Sequence, residues 1–183
     1  MSQKNQSMEA EELLDEFYIA YHGDDYSKAV ELLQQVLLKE GKGSAWLYSR
    51  LSSCYYELRN YETALEYAKK AYKLWPTSPL VLWDYAGPLV MLRKEKKAIT
   101  LLKRIQGMDT DLRTYGFADP QRSWMQSIKD DAYYLMGYAY YLIGEDALAK
   151  EAFLAHLATR KKGKKSIYSK KQVLKDLNKL DEN

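Results

Sequence analysis

Residues 45–76, AWLYSRLSSCYYELRNYETALEYAKKAYKLWP, hold two amphipathic helices joined by a short turn, and no other stretch restricts the fold as tightly. Leu47, Leu51, Tyr55 and Leu58 recur at spacings of three and four, and Tyr61, Ala64, Leu65, Ala68, Ala71 and Leu74 do the same after the break at Arg59-Asn60. That period is an apolar stripe along one face of a helix. Asn60 is a competent N-cap with Glu62 in the first turn behind it, and Pro76 cannot extend the second helix. A pair this small cannot bury both stripes alone, so stacked copies are expected on either side.

The copies can be found by sliding the pair along the chain. A step of 34 residues carries Ala64 onto Ala98, Ala68 onto Leu102, Ala71 onto Ile105 and Ser52 onto Ala86. A step of 35 the other way places Ala29 under Ala64, Tyr26 under Tyr61 and Val36 under Ala71. A fourth copy, around Ala149 with Gly137, Tyr140, Gly144 and Phe153, lies 51 residues past Ala98 and is therefore out of step. Tyr55, Tyr61, Ala64, Ala71 and Pro76, with Ser52 at a small-residue place, resemble the signature of the tetratricopeptide repeat, a helix-turn-helix unit of about 34 residues.

The resemblance implies an all-α, right-handed superhelical solenoid of about four helix pairs plus a C-terminal capping helix. Repeats are expected near 10–44, 45–78, 79–112 and 130–163, with an insertion at 113–129. A polar tail at 1–9 should precede them, and a basic linker and last helix at 164–183 should follow. Phe17 departs from the pattern, because the family places a small residue there for close helix approach, so a looser first pair is expected.

Composition fits one elongated helical domain: 183 residues, 46% hydrophobic, with four Pro and nine Gly. No run of about 18 apolar residues is present for a membrane span, and the N-terminus lacks the apolar core of a signal peptide, so a cytoplasmic location is expected. Cys54 is a lone cysteine in the middle of a packed helix and reads as a small buried hydrophobe rather than a redox or catalytic thiol.

Along the chain, the first helix is expected to start near Met8 to Ala10 and end at His22, with Gly23-Asp24-Asp25 as its turn and Gly41-Lys42-Gly43 closing its partner. Gly87-Pro88 falls inside the first helix of the third copy, where proline either kinks the helix or is tolerated. Asp119-Pro120 reads as a helix start, followed by Trp124, Met125, Ile128, Ala132, Leu135 and Met136 at helical spacing. One helix over about 120–143 is expected, the alternative being a short helix broken near Asp130. Trp124 either caps an apolar edge or joins a binding surface.

The segment 158–183 holds nine Lys or Arg against three acids, whereas 1–157 holds nineteen against twenty-two. A basic run can touch nucleic acid or an acidic membrane surface, but with Tyr168 as its sole aromatic and no reader motif it reads as a solvated linker. Val173, Leu174, Leu177 and Leu180 then give a weak final helix that docks after a flexible stretch.

Chemistry finds little support. His22 and His156 are far apart in the register, and with one cysteine no His and Cys metal set can be assembled. No phosphate loop or dinucleotide turn occurs. His156 stands at an alanine place of the family and reads as a packed or rim histidine. Asp24-Asp25 and Asp130-Asp131 read as helix-start acids favoured by the dipole. No enzyme, no cofactor and no metal are expected.

Binding remains. The resemblance implies that the first helix of each pair lines a concave groove. Its groove-facing places fall on Tyr18, Tyr21 and His22, then Trp46, Arg50, Tyr56 and Glu57, then Trp83, Asp84 and Met91, then Tyr134, Tyr138, Tyr141 and Leu142. Aromatic side chains bury much area with few rotors, which suits recognition. Among these places only Arg50 is basic, which separates the chain from the family variant that grips the C-terminal carboxylate of chaperone tails. The leading reading is an adaptor or chaperone-like module that binds a peptide or helix of another protein. The alternative is a structural or self-assembling module, a possible homo-oligomer, or a regulatory or immunity-type protein that neutralises a partner without a free groove.

Overall fold

A computed structural model describes residues 3–109, 122–159 and 166–181, and among these every regular element is a helix. In chain order they are α1 (Gln3–His22), α2 (Tyr26–Glu40), α3 (Ala45–Glu57), α4 (Tyr61–Leu74), α5 (Pro79–Met91), α6 (Glu95–Gln106), α7 (Arg122–Leu142), α8 (Asp146–Thr159) and α9 (Lys170–Asn178). The chain divides into two compact units, Met1–Pro76 with α1 to α4 and Thr77–Asn183 with α5 to α9. Within them α1 packs on α2, α3 on α4, α5 on α6 and α7 on α8.

The turn inside each pair is built the same way four times. Asp24, Arg59, Arg93 and Gly144 all take left-handed backbone, with φ of 59°, 60°, 58° and 76°. The residue after each donates its N–H to a carbonyl five residues back: Asp25 to Ala20 at 2.9 Å, Asn60 to Tyr55 at 2.9 Å, Lys94 to Leu89 at 2.8 Å and Glu145 to Tyr140 at 3.0 Å. These are the hydrogen bonds of a Schellman helix end, which satisfies carbonyls the helix would otherwise leave open. Glycine takes this conformation at least cost, so at the three other positions helix pairing imposes it.

Helix starts are capped by the side chains that the sequence offers. Asp25 accepts from Lys28 N–H at 3.0 Å and Ser44 from Leu47 N–H at 3.1 Å. Asn60 accepts from Thr63 N–H at 3.2 Å, and Ser169 from Gln172 N–H at 3.1 Å. Each such cap is worth about 1 kcal/mol. Helix α1 begins at Gln3, ahead of the expected start near Met8 to Ala10, since nothing from Gln3 to Glu9 breaks a helix.

The alanines that carry the repeat register, Ala29, Ala64, Ala98 and Ala149, are all fully buried. In the first unit Phe17, Leu33, Val36, Leu47, Leu51 and Cys54 complete one core around Ala29. Phe17 is sealed rather than loosening its pair: its ring centroid lies 5.1, 5.5 and 5.9 Å from those of Tyr18, Tyr21 and Trp46. In the second unit Leu82, Ala86, Leu102 and Ile105 fill α5 and α6, and Met125, Ala132, Ala139 and Phe153 fill α7 and α8. Helix α5 runs through Gly87 and Pro88, both buried. Helix α7 passes Asp130 without a break. Gly137 allows α7 and α8 to meet, since a Cβ there would lie 2.7 Å from the Phe153 ring. The sequence landmarks Tyr115-Gly116-Phe117 and Asp119-Pro120, the side chain of Trp124 and the basic run 160–165 lie outside the described residues.

Candidate recognition surfaces

In the first unit α1 and α3 bring five of the expected groove residues into one patch. Tyr18, one turn before His22 on α1, stacks on that imidazole at 6.3 Å and faces Trp46 of α3 at 6.3 Å. Tyr21 donates or accepts a 2.9 Å hydrogen bond with Ser53, and the Arg50 guanidinium lies 5.9 Å over the Tyr21 ring. Phe17 forms the floor. Tyr18 keeps 45% of its surface exposed, while Tyr21, Trp46 and Arg50 are half-buried. The result is a rigid aromatic patch with one cation, held in place by ring-on-ring contact and open on its outer side. Tyr56, at the far end of α3, is half-buried and packs on Tyr61 at 5.5 Å, separate from the patch.

The second unit treats its expected groove residues unequally. Trp83, Tyr138 and Tyr141 are half-buried and keep an open edge. Asp84 is buried. Tyr134 is not open at all: its hydroxyl donates to the Asp176 carboxylate of α9 at 2.7 Å, and the Tyr168 ring lies 3.9 Å from its own. The C-terminal segment covers this tyrosine.

Beneath that segment lies a polar cluster that the sequence reading places elsewhere. Asp130-Asp131 stand in the middle of α7 rather than at a helix start, and both are buried. Asp131 accepts from the Ser166 hydroxyl and from Ile167 N–H at 3.2 Å. Burial pushes its carboxyl above the usual range, against the pull of those donors and of His156. For Asp176, burial also pushes upward, but hydrogen bonds from Lys179, Gln172 and Tyr134 outweigh it and hold the carboxyl below the usual range. Burial, then the bond to Asp176, drives the Tyr134 hydroxyl upward, so it stays a donor. His156 is fully buried, as a packed histidine should be, with Nδ1 at 2.6 Å from the Asp130 carbonyl. One signal for this cluster is present in the sequence: Ile128, Asp131 and Leu135 fall at i, i+3 and i+7 on one stripe, which puts an acid on a buried face.

Among the described residues no group of three or more His, Cys, Asp or Glu is placed to hold a metal, and no helix is long and apolar enough to cross a membrane. The helix pairs with their shared turn, the buried register alanines and the aromatic first helices define a class that the comparisons then specify. Residues 48–78 match the tetratricopeptide repeat family model. The chain thus carries a tetratricopeptide repeat at 48–78, and its described residues have an all-α helix-pair fold.

Solved structures of MamA are similar to it in fold. A MamA mutant is 16% identical with a TM-score of 0.66, over 96% of this chain and 88% of that one. MamA AMB-1 gives 16% and 0.64 over 96% and 82%, and a further MamA crystal structure gives 19% and 0.57 over 89% and 91%. No curated protein matches the chain.

Proposed function

We propose that this chain is a protein–protein interaction module of the adaptor or chaperone-like kind, which holds a peptide or helix of a partner protein against the aromatic faces of its first helices and performs no catalysis. The observation that carries this reading is the patch of Tyr18, Tyr21, Trp46 and Arg50. Its rings are fixed against one another, Tyr18 remains 45% exposed, and Arg50 lies over the Tyr21 ring. Aromatic anchors and arginine are the residue types that dominate binding energy when a partner covers them. Rings locked in advance cost little entropy on binding. Trp83, Tyr138 and Tyr141 extend the same chemistry to the second unit. The tetratricopeptide fold is typical of such scaffolds, and a protein or peptide fits this surface better than nucleic acid does, since its one cation sits within an aromatic cluster. We assign it to the cytoplasm.

The test is co-purification from the source cell with mass spectrometry of what is retained, repeated with Tyr18→Ala combined with Trp83→Ala. The retained partner should be lost while the circular-dichroism melt holds. A lowered melting temperature with an unchanged partner list would overturn the reading.

A further inference from the structure

We propose that residues 166–180 form a releasable strap, an autoinhibitory contact that occupies a recognition face on α7 and α8 until a partner segment of the same pattern displaces it. The inference deepens the function proposed above and rests on it only for what takes the strap's place.

The way the segment is held supports release. Val173 is the one fully buried apolar side chain it contributes, while Leu174 is 40% exposed and Ile167 69% exposed. Tyr168, Leu177 and Leu180 are half-buried, and the other contacts are polar: Ser166 and Ile167 donate to Asp131, and Asp176 accepts from Tyr134 at 2.7 Å. An outer ion pair of Lys150 with Asp181 adds an exposed contact at 2.7 Å, of the kind worth little in water. Polar contacts exchanged for water on release leave a small net cost, and elements with few buried apolar side chains open locally ahead of the core.

What lies beneath has the character of a binding face. Tyr134 stands at a place where the repeat register puts groove residues, and Tyr168 covers its ring at 3.9 Å. Asp131, buried within α7, has its carboxylate spent on the strap rather than on the helix core. His156 Nε2 is buried with no hydrogen-bond partner among the described residues, although the Tyr168 ring lies 6.3 Å away. Buried polar atoms left so are costly, and an occupant that offers His156 a polar group gains what the strap does not provide.

The strap itself states the chemistry of the partner. It is a short amphipathic segment with Ser-x-Tyr followed by a one-turn-capped helix, and an acid eight residues after the tyrosine. The hydroxyl and the next backbone N–H meet Asp131, the ring covers Tyr134, and the acid takes the Tyr134 hydroxyl.

Two measurements on the full chain decide it. In the unmodified protein, amides of 166–180 should exchange with deuterium at least tenfold faster than those of 128–142 in α7; equal protection would overturn the proposal. A labelled peptide with the sequence of residues 166–181 should bind the Val173→Asp chain at least tenfold more tightly than the unmodified chain, and the same peptide carrying Asp176→Ala should lose that binding. Equal binding to both chains, binding to neither, or a Val173→Asp chain that turns into a segment-exchanged dimer would each overturn it. Should Val173→Asp fail to fold, the exchange measurement stands alone and still decides. Partner capture through Tyr18 and Trp83 does not depend on any of these results, so the strap can fail while the function proposed above survives.

Discussion

The α3–α4 pair and the α7–α8 pair carry the same register alanine and the same turn, yet they fill the space around it with different chemistry. In α3–α4, Ala64 meets Ser52, whose hydroxyl donates to the Ala64 carbonyl at 2.9 Å, and the Tyr55 and Tyr67 rings stack nearly parallel at 5.5 Å with Lys70 4.7 Å over Tyr67. Small residues and stacked rings complete that pair from within. In α7–α8 the close approach depends on Gly137 against Phe153, and the flanking positions are Asp130, Asp131, Tyr134 and His156, all buried. Buried polar groups need partners, and a further segment of chain provides them for Asp131 and Tyr134, while Asp130 and His156 Nδ1 are met within α7 and α8. The lesson is that the pair matching the family pattern, over 48–78, packs on its neighbours through apolar side chains such as Leu47, Leu51 and Cys54. The α7–α8 pair keeps the register but meets its further segment through polar groups, Asp131 and Tyr134 among them.

That contrast can be broken most strongly at Phe153. Phe153→Ala should destabilise the second unit by about 3–5 kcal/mol, because a fully buried ring is lost where α7 and α8 touch. A thermal melt measures the loss, and deuterium exchange should show α7, α8 and the strap loosening together; a strap that keeps its protection would show that it does not depend on this pair. Ala64→Leu is the counterpart in the first unit. It should cost about 1–3 kcal/mol by overpacking the α3–α4 junction, with exchange of 166–180 unchanged. An unmoved melting temperature would count against the register.

A smaller effect, dependent on pH, separates the two acids of the second unit. The Asp131 carboxyl is raised in the folded chain, so its contribution is present below about pH 4 and lost as the pH rises through the raised value. Asp131→Asn should remove that part of the decline. Asp176 is depressed, so its contribution is present above about pH 4 and lost as the pH falls through the lower value. Asp176→Asn should remove that acid-side loss, and melts recorded from pH 3 to pH 7 that show the same slopes for both variants would sink the assignment. Smallest of all, Arg59→Gly should raise stability by about 1 kcal/mol, since it relieves a left-handed arginine, whereas Gly144→Ala should lower it by a similar amount.

Much of this was legible in the residues. Ala29, Ala64, Ala98 and Ala149 could be aligned because a helix junction tolerates only small side chains, and the same constraint leaves a fixed spacing in the sequence. Tyr18, Tyr21, Trp46 and Arg50 could be gathered because the family resemblance implies which helix lines a groove and the register places these residues on it. Neither the resemblance nor the register says whether another segment covers that face. Tyr134 was therefore expected in the open and is instead buried under Asp176 and Tyr168. Asp130-Asp131 were read as helix-start acids because a carboxylate is cheapest there, and they lie inside α7, Arg122–Leu142, instead. Phe17 misled in the opposite sense, since a large ring can stand at a small-residue place when aromatics such as Tyr18, Tyr21 and Trp46 pack around it.

The four Schellman turns bear on how the chain reaches this state. Each is closed by hydrogen bonds that span six residues, and each joins two helices that need only one another to begin burying their stripes. Contacts so close in sequence carry little loop-closure entropy, so helical pairs should assemble rapidly and largely independently. On a ribosome, Asp24 and Arg59 would turn the chain back on itself long before Gly144 emerges. Residues 166–180, made after α7 and α8, would then arrive at an α7–α8 surface already formed and dock on it as a finished platform.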